Sequence, residues 1–258
     1  MSLPPVTRLL DPRSADQARS SPIADAVNIP YEELSLRMHE LPSREMQILI
    51  AAQGALARRT LLKLEKVGRA VSIFEGCFAS GQPIPLRMWE PNAFLEEALP
   101  ELKPGLALDL GCGSGREAVA LAASGWQVVA VDLLPDALLK GQDLARRYTP
   151  DAADRIQWIR QDLRKGMPQE GPFDLITSFR YLDRELLAGA QSRLAPGGSL
   201  IVEAFTSIHR DRHGKPSSEA HIVESGELPS LFPGLAVRDA SDDWRGDSHT
   251  ARFWGTVA

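Results

Sequence analysis

The sequence predicts an α/β protein, most of it built around a mostly parallel, doubly wound sheet. Strand and helix signals alternate through the carboxyl-terminal two-thirds of the chain, as expected when helices connect parallel strands. The apolar run 106–110 leads into glycines at alternate positions, Gly111, Gly113 and Gly115, and a helical pattern follows. Glycines at such a turn lack the side chains that keep a ligand away from the backbone. We therefore expect a nucleotide-cofactor site at this turn.

Acidic residues follow the next two predicted strands. Asp132 closes the run 127–131 and comes 21 residues after Gly111, which fits one helix, a short loop and one strand. A carboxylate at the end of this strand accepts hydrogen bonds from both ribose hydroxyls of a bound nucleotide. The segment 156–163 is a third predicted strand and contains a second candidate, Asp162. Their neighbours Leu133 and Leu163 belong to the same predicted cofactor site.

The rest of this region supplies four further strands. A fourth strand begins after Pro172, and a helix over 184–194 follows it and stops at Pro196 and the two glycines beyond it. The predicted strands after the third are 173–179, 199–205, 235–238 and 250–257. Together with the first three they make a seven-stranded sheet.

Asp109 stands two residues before Gly111 and completes the pattern Asp-x-Gly-x-Gly-x-Gly. This pattern, the Phe-Asp-Leu that starts at Phe173 and the Leu-x-Pro-Gly-Gly that starts at Leu194 resemble class I S-adenosylmethionine-dependent methyltransferases, over roughly residues 85–258. The resemblance implies a Rossmann-like sheet ending in an antiparallel pair, with S-adenosylmethionine as cofactor. It also implies that Asp162 bonds the adenine amine.

An alternative is a nicotinamide-dependent oxidoreductase. In the dinucleotide fingerprint the third glycine comes three residues after the second, and that position here is Arg116. The early third glycine, Gly115, argues against this alternative.

The acceptor side is expected at residues 178–181, the carboxyl end of the fourth strand, where ligands bind in doubly wound sheets. In the family this stretch lines the cofactor, which makes Phe179 a candidate contact. Arg180 and Tyr181 are candidates for orienting an anionic or phenolic substrate, with helix capping or packing as the alternative. Trp89 is a candidate lid residue, with core burial as the alternative. The sequence identifies no catalytic base.

The acceptor class follows from motifs that are missing. Residues 178–181 do not carry the Asn/Asp-Pro-Pro-Tyr/Phe of DNA and glutamine nitrogen methyltransferases, nor the Pro-Cys of cytosine-carbon methyltransferases. We therefore expect a methyltransferase acting on oxygen, sulfur or another heteroatom of a small molecule. The alternative is a non-catalytic protein that senses S-adenosylmethionine or serves as a docking protein.

The first 82 residues read as a separate, smaller α/β domain, followed by the methyltransferase domain at 83–258. The phrases Leu-Asp-x-Arg-Ser at 10–14 and Ile-x-x-Ala-Val-Asn-Ile-Pro at 23–30 resemble rhodanese-like domains. That family's chemistry needs a cysteine thiolate ahead of a helix N-terminus. Aligning Gly54 with the loop glycine of the family places Ala51 at the cysteine position, so we expect no sulfurtransferase activity.

The composition and net charge limit the classes of partner that the protein is expected to bind. Of 258 residues, 43% are hydrophobic and 24% charged, typical of a globular protein, and the net charge of −5 disfavours nucleic acid. We expect a cytoplasmic protein without membrane contact, because the chain has no signal peptide and no apolar stretch of the roughly 20 residues that span a bilayer. The sequence leaves the oligomeric state undetermined.

Metal and disulfide chemistry are not expected. The two cysteines, Cys77 and Cys112, make a disulfide framework improbable. Four polar residues follow the fifth strand at spacings that match no common zinc pattern, and they read as a solvated loop. They are His209, Asp211, His213 and His221.

Overall fold

The computed structural model describes residues 2–81, 84–168 and 171–258. It divides into two compact units, residues 3–90 and 91–258. The domain boundary expected between residues 82 and 83 falls on residues outside the described ranges. The observed division lies between Glu90 and Pro91.

The first unit is a small parallel α/β unit. Its elements are β1 (Leu9–Asp11), α1 (Ala15–Ser20), β2 (Ala26–Asn28), β3 (Ile48–Ile50), α2 (Gly54–Glu65) and β4 (Val71–Ile73). The strands pair in the parallel order β2-β1-β3-β4. Residues 31–36 form a series of turns, followed by a 3-10 turn at Met38–Glu40.

The second unit contains the large sheet. Its elements are α3 (Ala93–Ala98), β5 (Leu106–Leu110), α4 (Arg116–Ala123), β6 (Gln127–Asp132), α5 (Pro135–Tyr148), β7 (Ile156–Arg160), β8 (Phe173–Phe179), α6 (Arg184–Ala190), β9 (Leu194–Thr206), α7 (Ser207–His213), β10 (Ile222–Val223), α8 (Glu227–Ser230), β11 (Ala236–Arg245) and β12 (Ser248–Thr256). Aliphatic and aromatic side chains of the inner strands, α6 and α8 form its largest core cluster.

The sheet is Rossmann-like, as expected, with the strand order β11-β12-β9-β8-β5-β6-β7. Neighbouring strands along the path β9-β8-β5-β6-β7 pair in parallel. On the other side of β9, strands β12 and β11 pair in antiparallel fashion and end the sheet. The expected count of seven strands describes this path, but the two-residue β10 adds an eighth by pairing with the end of β9. The chain runs outward from β5 to β7 and then crosses to β8, so β5 and β8 flank a topological switch point, where ligands bind in such sheets.

The stretch after β9 is a helix and not the solvated loop that its polar residues suggested. Thr206 caps α7 by accepting the backbone N–H of His209, and Gly214 ends the helix with φ 66°. His209 and His213, four residues apart on α7, pack ring against ring, and His209 also stacks on Phe205 at the end of β9. The histidines act here as flat apolar rings, which is why a search for aliphatic periodicity misses the helix.

Among the described residues, no helix has both the length and the apolar character needed to cross a membrane.

Candidate functional site

The three glycines between β5 and α4 all have left-handed backbones, with φ of 69° at Gly111, 53° at Gly113 and 75° at Gly115. Their surroundings differ. A Cβ on Gly111 would lie 2.7 Å from Cβ of Tyr181, and one on Gly115 would overlap the ring of Trp158. A Cβ on Gly113 would meet no atom within 4 Å. Gly113 is therefore the glycine whose backbone is open to a ligand.

Asp132 lies at the end of β6 and is oriented by two backbone amides. Gly113 donates its N–H to Oδ2 (2.9 Å), and Leu134 donates its N–H to Oδ1 (2.8 Å). A carboxylate oxygen accepts more than one hydrogen bond, so both oxygens keep capacity for a ligand hydroxyl. Asp132 thus both braces the glycine turn and presents a fixed acceptor beside its open position.

Asp109, near the end of β5, is a buried carboxyl with one unpartnered oxygen. The hydroxyl of Thr177 donates to Oδ1 (3.0 Å), while Oδ2 is buried and no described group lies within hydrogen-bonding distance of it. The backbone N–H of Ala118, in the first turn of α4, is near enough to lower the pKa of this carboxyl. Burial, together with the nearby carboxyl of Glu117, raises the pKa of Asp109. Burial also raises the pKa of Glu117. A buried polar atom without a partner costs about 1–3 kcal/mol, so this arrangement favours a hydrogen-bond donor from a ligand.

Cys112 lies inside the turn and is buried. Burial raises the pKa of its thiol, and the carboxyls of Asp109, Asp132 and Glu117 raise it further. The thiol is therefore protonated and is not a nucleophile.

The carboxylate of Asp162 is engaged locally. Arg164 donates to it from Nε (2.9 Å) and Nη2 (2.8 Å), and its backbone N–H adds a third bond at 3.1 Å. These bonds to Arg164 lower the pKa of Asp162. An adenine contact from this side chain would share oxygens that Arg164 already holds. Next to the two acids, Leu163 is buried and Leu133 is 46% exposed, which leaves Leu133 with apolar surface for a ligand ring.

The end of β8 carries the predicted acceptor-side residues. Phe179 is half-buried and pairs with Glu203 of β9. Arg180 has φ 60°, unusual for a residue with a side chain, and donates its N–H to the carbonyl of Glu203 (2.7 Å). Tyr181 lies against the turn at Gly111, and burial with the nearby Asp183 and Asp162 raises its pKa to about 12. Its phenol is therefore neutral at physiological pH.

Trp89 does not behave as a lid residue. It belongs to the first unit and its side chain is fully buried. A ring with no exposed surface has nothing to offer a substrate, so the core-burial alternative is the one observed.

A polar network near the site was missed by the sequence reasoning. Asn92, which caps α3, donates its backbone N–H to Oε1 of Glu117 (3.0 Å) and its amide to Oε1 of Glu203 (2.8 Å). Arg252 donates its Nε to Oε2 of the same Glu203 (2.7 Å). The sequence could have pointed to Glu117, because it is the acidic residue in the first turn of the helix that follows the glycines. The pairing across 111 residues between Asn92 and Glu203 has none.

Within the part of the chain that the structure describes, no cluster of three or more histidine, cysteine, aspartate or glutamate side chains is placed to hold a metal ion.

Comparison with known proteins identifies the domain. Residues 107–198 match the family model described as a methyltransferase domain. An uncharacterized protein of Schizosaccharomyces pombe is 23% identical, over 87% of this chain and 84% of its own length. A ubiquinone biosynthesis O-methyltransferase of Xanthomonas campestris is 30% identical, over 49% of this chain and 54% of its own length.

A solved structure shares the fold. Magnesium protoporphyrin IX methyltransferase from Synechocystis, with bound S-adenosylhomocysteine, superimposes with a TM-score of 0.52 at 15% identity, over 65% of this chain and 81% of its own. Of the two sequence relatives, the chain spans about half the length of the ubiquinone biosynthesis O-methyltransferase and most of the length of the Schizosaccharomyces pombe protein. The family match covers the turn, Asp132 and the end of β8. Residues 107–198 are thus similar to a methyltransferase domain, and a structure that shares the fold holds S-adenosylhomocysteine, the demethylated form of S-adenosylmethionine.

Proposed function

We propose that this chain transfers a methyl group from S-adenosylmethionine to oxygen, sulfur or another heteroatom of a small-molecule acceptor. The observation that carries the proposal is the set of groups around the open backbone of Gly113. Asp132 offers a fixed carboxylate beside it, and Asp109 offers a buried oxygen without a partner. These groups match the polar parts of the cofactor, namely two ribose hydroxyls and one ammonium group.

Each residue has a distinct part in this proposal. The glycine backbones admit the amino-acid tail, Asp132 accepts from the ribose hydroxyls, and Oδ2 of Asp109 accepts a hydrogen bond from the ammonium group, directly or through water. Leu133 packs on the adenine, with Leu163, Asp162 and Phe179 near its edge. The bound cofactor supplies an electrophilic methyl group on a sulfonium. The protein's contribution is then to align the acceptor, and alignment alone is worth about 7–11 kcal/mol of barrier.

Arg180 and Tyr181 are the proposed acceptor contacts. Both follow β8, and Tyr181 lies directly against Gly111 of the turn. With its phenol neutral, Tyr181 donates or accepts a hydrogen bond without carrying charge. No residue is assigned as a general base, because methyl transfer needs one only when the acceptor must lose a proton.

The first unit is proposed to be a rhodanese-like domain without sulfurtransferase activity. Ala51 directly follows β3 and precedes α2, the position where such chemistry needs a thiolate, and its side chain is buried. A methyl group is neither a nucleophile nor an acid. A cytoplasmic location and the absence of a nucleic-acid partner are also part of the proposal and rest on the sequence.

Isothermal titration of the full chain with S-adenosylmethionine and S-adenosylhomocysteine tests the cofactor site. Both are expected to bind with one-to-one stoichiometry, and NAD is expected not to bind. Transfer of labelled methyl from S-adenosylmethionine to a panel of phenols, thiols and carboxylic acids tests the reaction. Binding without transfer to any panel member would favour a sensor, and binding of neither compound would refute the proposal.

A further inference from the structure

The guanidinium of Arg180 is a cation without a counterion in contact. It lies over the ring of Phe205, 5.3 Å from the ring centre, and no described residue forms an ion pair or a side-chain hydrogen bond with it. Its backbone is held in the left-handed conformation by the bond to Glu203. Residues kept in such strained conformations concentrate at ligand sites. The five N–H donors of Arg180 are therefore available to a ligand.

His209 contacts the same aromatic ring. Its imidazole stacks on Phe205 with ring centres 4.3 Å apart and planes 20° apart. Its Nδ1 accepts the backbone N–H of His249 (3.3 Å), so the neutral ring carries its proton on Nε2. Burial, with His213 and Arg180 nearby, lowers the pKa of His209 and supports this neutral form. No described residue hydrogen-bonds Nε2, which leaves one fixed N–H donor.

The two side chains together offer a single positive charge and one neutral donor. Glu117 is close enough for Arg180 to lower its pKa, while its own burial raises it, and the carboxyl of Glu117 forms no ion pair with Arg180 among the described residues. A planar guanidinium binds a carboxylate in a bidentate manner. A dianion such as phosphate would carry more negative charge than this pair balances.

We propose that Arg180 and His209, placed on the Phe205 ring, bind a carboxylate group of the methyl acceptor. The guanidinium of Arg180 forms the ion pair, and the Nε2–H of His209 donates one further bond. The inference rests on the proposed function and specifies its acceptor as a carboxylic acid. Tyr181, next in the chain, touches the glycine turn, so a carboxylate held here lies on the acceptor side of the cofactor site.

The experiment titrates the full chain, saturated with S-adenosylhomocysteine, with benzoate and hexanoate as probes and with benzamide and inorganic phosphate as comparisons. At least one carboxylate is expected to bind more tightly than either comparison. Arg180→Gln is expected to weaken that binding about 10- to 100-fold, and His209→Phe, which keeps the stacking, about 3- to 10-fold. Affinity for S-adenosylhomocysteine should remain unchanged in both variants.

Arg212→Gln is the matched control. Arg212 also lies over an aromatic ring, 4.6 Å from the centre of Trp244, but it is already paired with Asp247 (3.2 Å). Its loss should leave carboxylate binding unchanged. Nitrogen-15 spectra of the wild-type histidines provide a readout independent of any variant's folding. They should show a protonated Nε2 on His209 that shifts when the carboxylate binds.

Three results would overturn the inference: no carboxylate binds the saturated protein, benzamide or phosphate binds as tightly, or Arg180→Gln binds as well as wild type. If S-adenosylhomocysteine itself fails to bind, the proposed function fails and takes this inference with it. Binding of S-adenosylhomocysteine without carboxylate binding would overturn only the inference.

Discussion

Each unit of the molecule contains a parallel strand that leads through a glycine turn into a helix, yet the two turns carry different chemistry. In the first unit β3 is followed by Ala51 and Ala52, both buried and apolar, before Gly54 at φ 61°. In the second unit β5 brings the carboxyl of Asp109 to a turn centred on Gly113 at φ 53°. A shared backbone turn does not by itself make a ligand site. The second turn differs because it lies beside a polar atom that burial leaves without a partner.

The largest expected effect comes from comparing two left-handed glycines, Gly115 and Gly54. Gly115→Ala should lower the free energy of unfolding by about 2–4 kcal/mol, because strained backbone adds to overlap with Trp158. Gly54→Ala meets open space and should cost about 1–2 kcal/mol, from the backbone alone. Urea unfolding of the full chain measures both. Equal losses would show that the packing of Gly115 against Trp158 contributes nothing.

The next effect concerns Asp132, the carboxylate beside the glycine turn of the second unit, which has no equivalent at the turn between β3 and α2. Asp132→Ala should weaken binding of S-adenosylmethionine by about 1.5–3 kcal/mol, the range for hydrogen bonds to a charged group. Isothermal titration measures the affinity. Asp151→Ala, an exposed acid after α5, is the control and should bind as wild type does. An Asp132 variant that is folded and binds within error of wild type would refute its assignment to the ribose.

A smaller effect is expected from the buried acid Asp109. Its pKa is higher in the folded than in the unfolded chain, so its contribution to stability is complete below about pH 4 and is lost as pH rises through the folded-state pKa. Asp109→Asn keeps an oxygen for Thr177 and removes the ionisation. We expect the variant to be about 1–3 kcal/mol more stable than wild type at pH 8.

Urea unfolding at pH 4.5, 6 and 8 tests this trend, and the difference should shrink as the pH falls. Asp151→Asn should show no such trend. The same Asp109 variant should bind S-adenosylmethionine more weakly. A stability difference that grows toward low pH would contradict the raised pKa.

The smallest expected signal is sulfurtransferase activity at the turn between β3 and α2 of the first unit. With Ala51 where a thiolate is needed, wild-type protein should form no thiocyanate from thiosulfate and cyanide above the protein-free rate. The colorimetric iron–thiocyanate assay checks this. Turnover would mean that Cys77, the exposed thiol of this unit, or another group supplies the chemistry.

Prediction from the sequence worked best where structure depends on short-range pattern. The inner strands β5, β6 and β8 are continuous apolar runs with turn residues around them, and this pattern is visible without any tertiary contact. It failed for α7, where the one buried side chain is the imidazole of His209, packed against the ring of His213, and no aliphatic residue marks a buried face. It left Trp89 between a lid and a core residue, because spacing along the chain does not report burial, and the buried side chain of Trp89 fits the core alternative.

The amino-acid sequence alone determined the glycine turn, the acids at the strand ends and the Rossmann-like order that brings them to one edge, since apolar runs, turn residues and their alternation with helices are visible in the chain itself. Only the tertiary structure decided that Gly113 is the open glycine, that Oδ2 of Asp109 has no partner among the described residues, and that Arg180 and His209 both contact the ring of Phe205. Those properties depend on contacts between side chains far apart in the chain. Whether a polar atom is satisfied is known only when every group around it is in place.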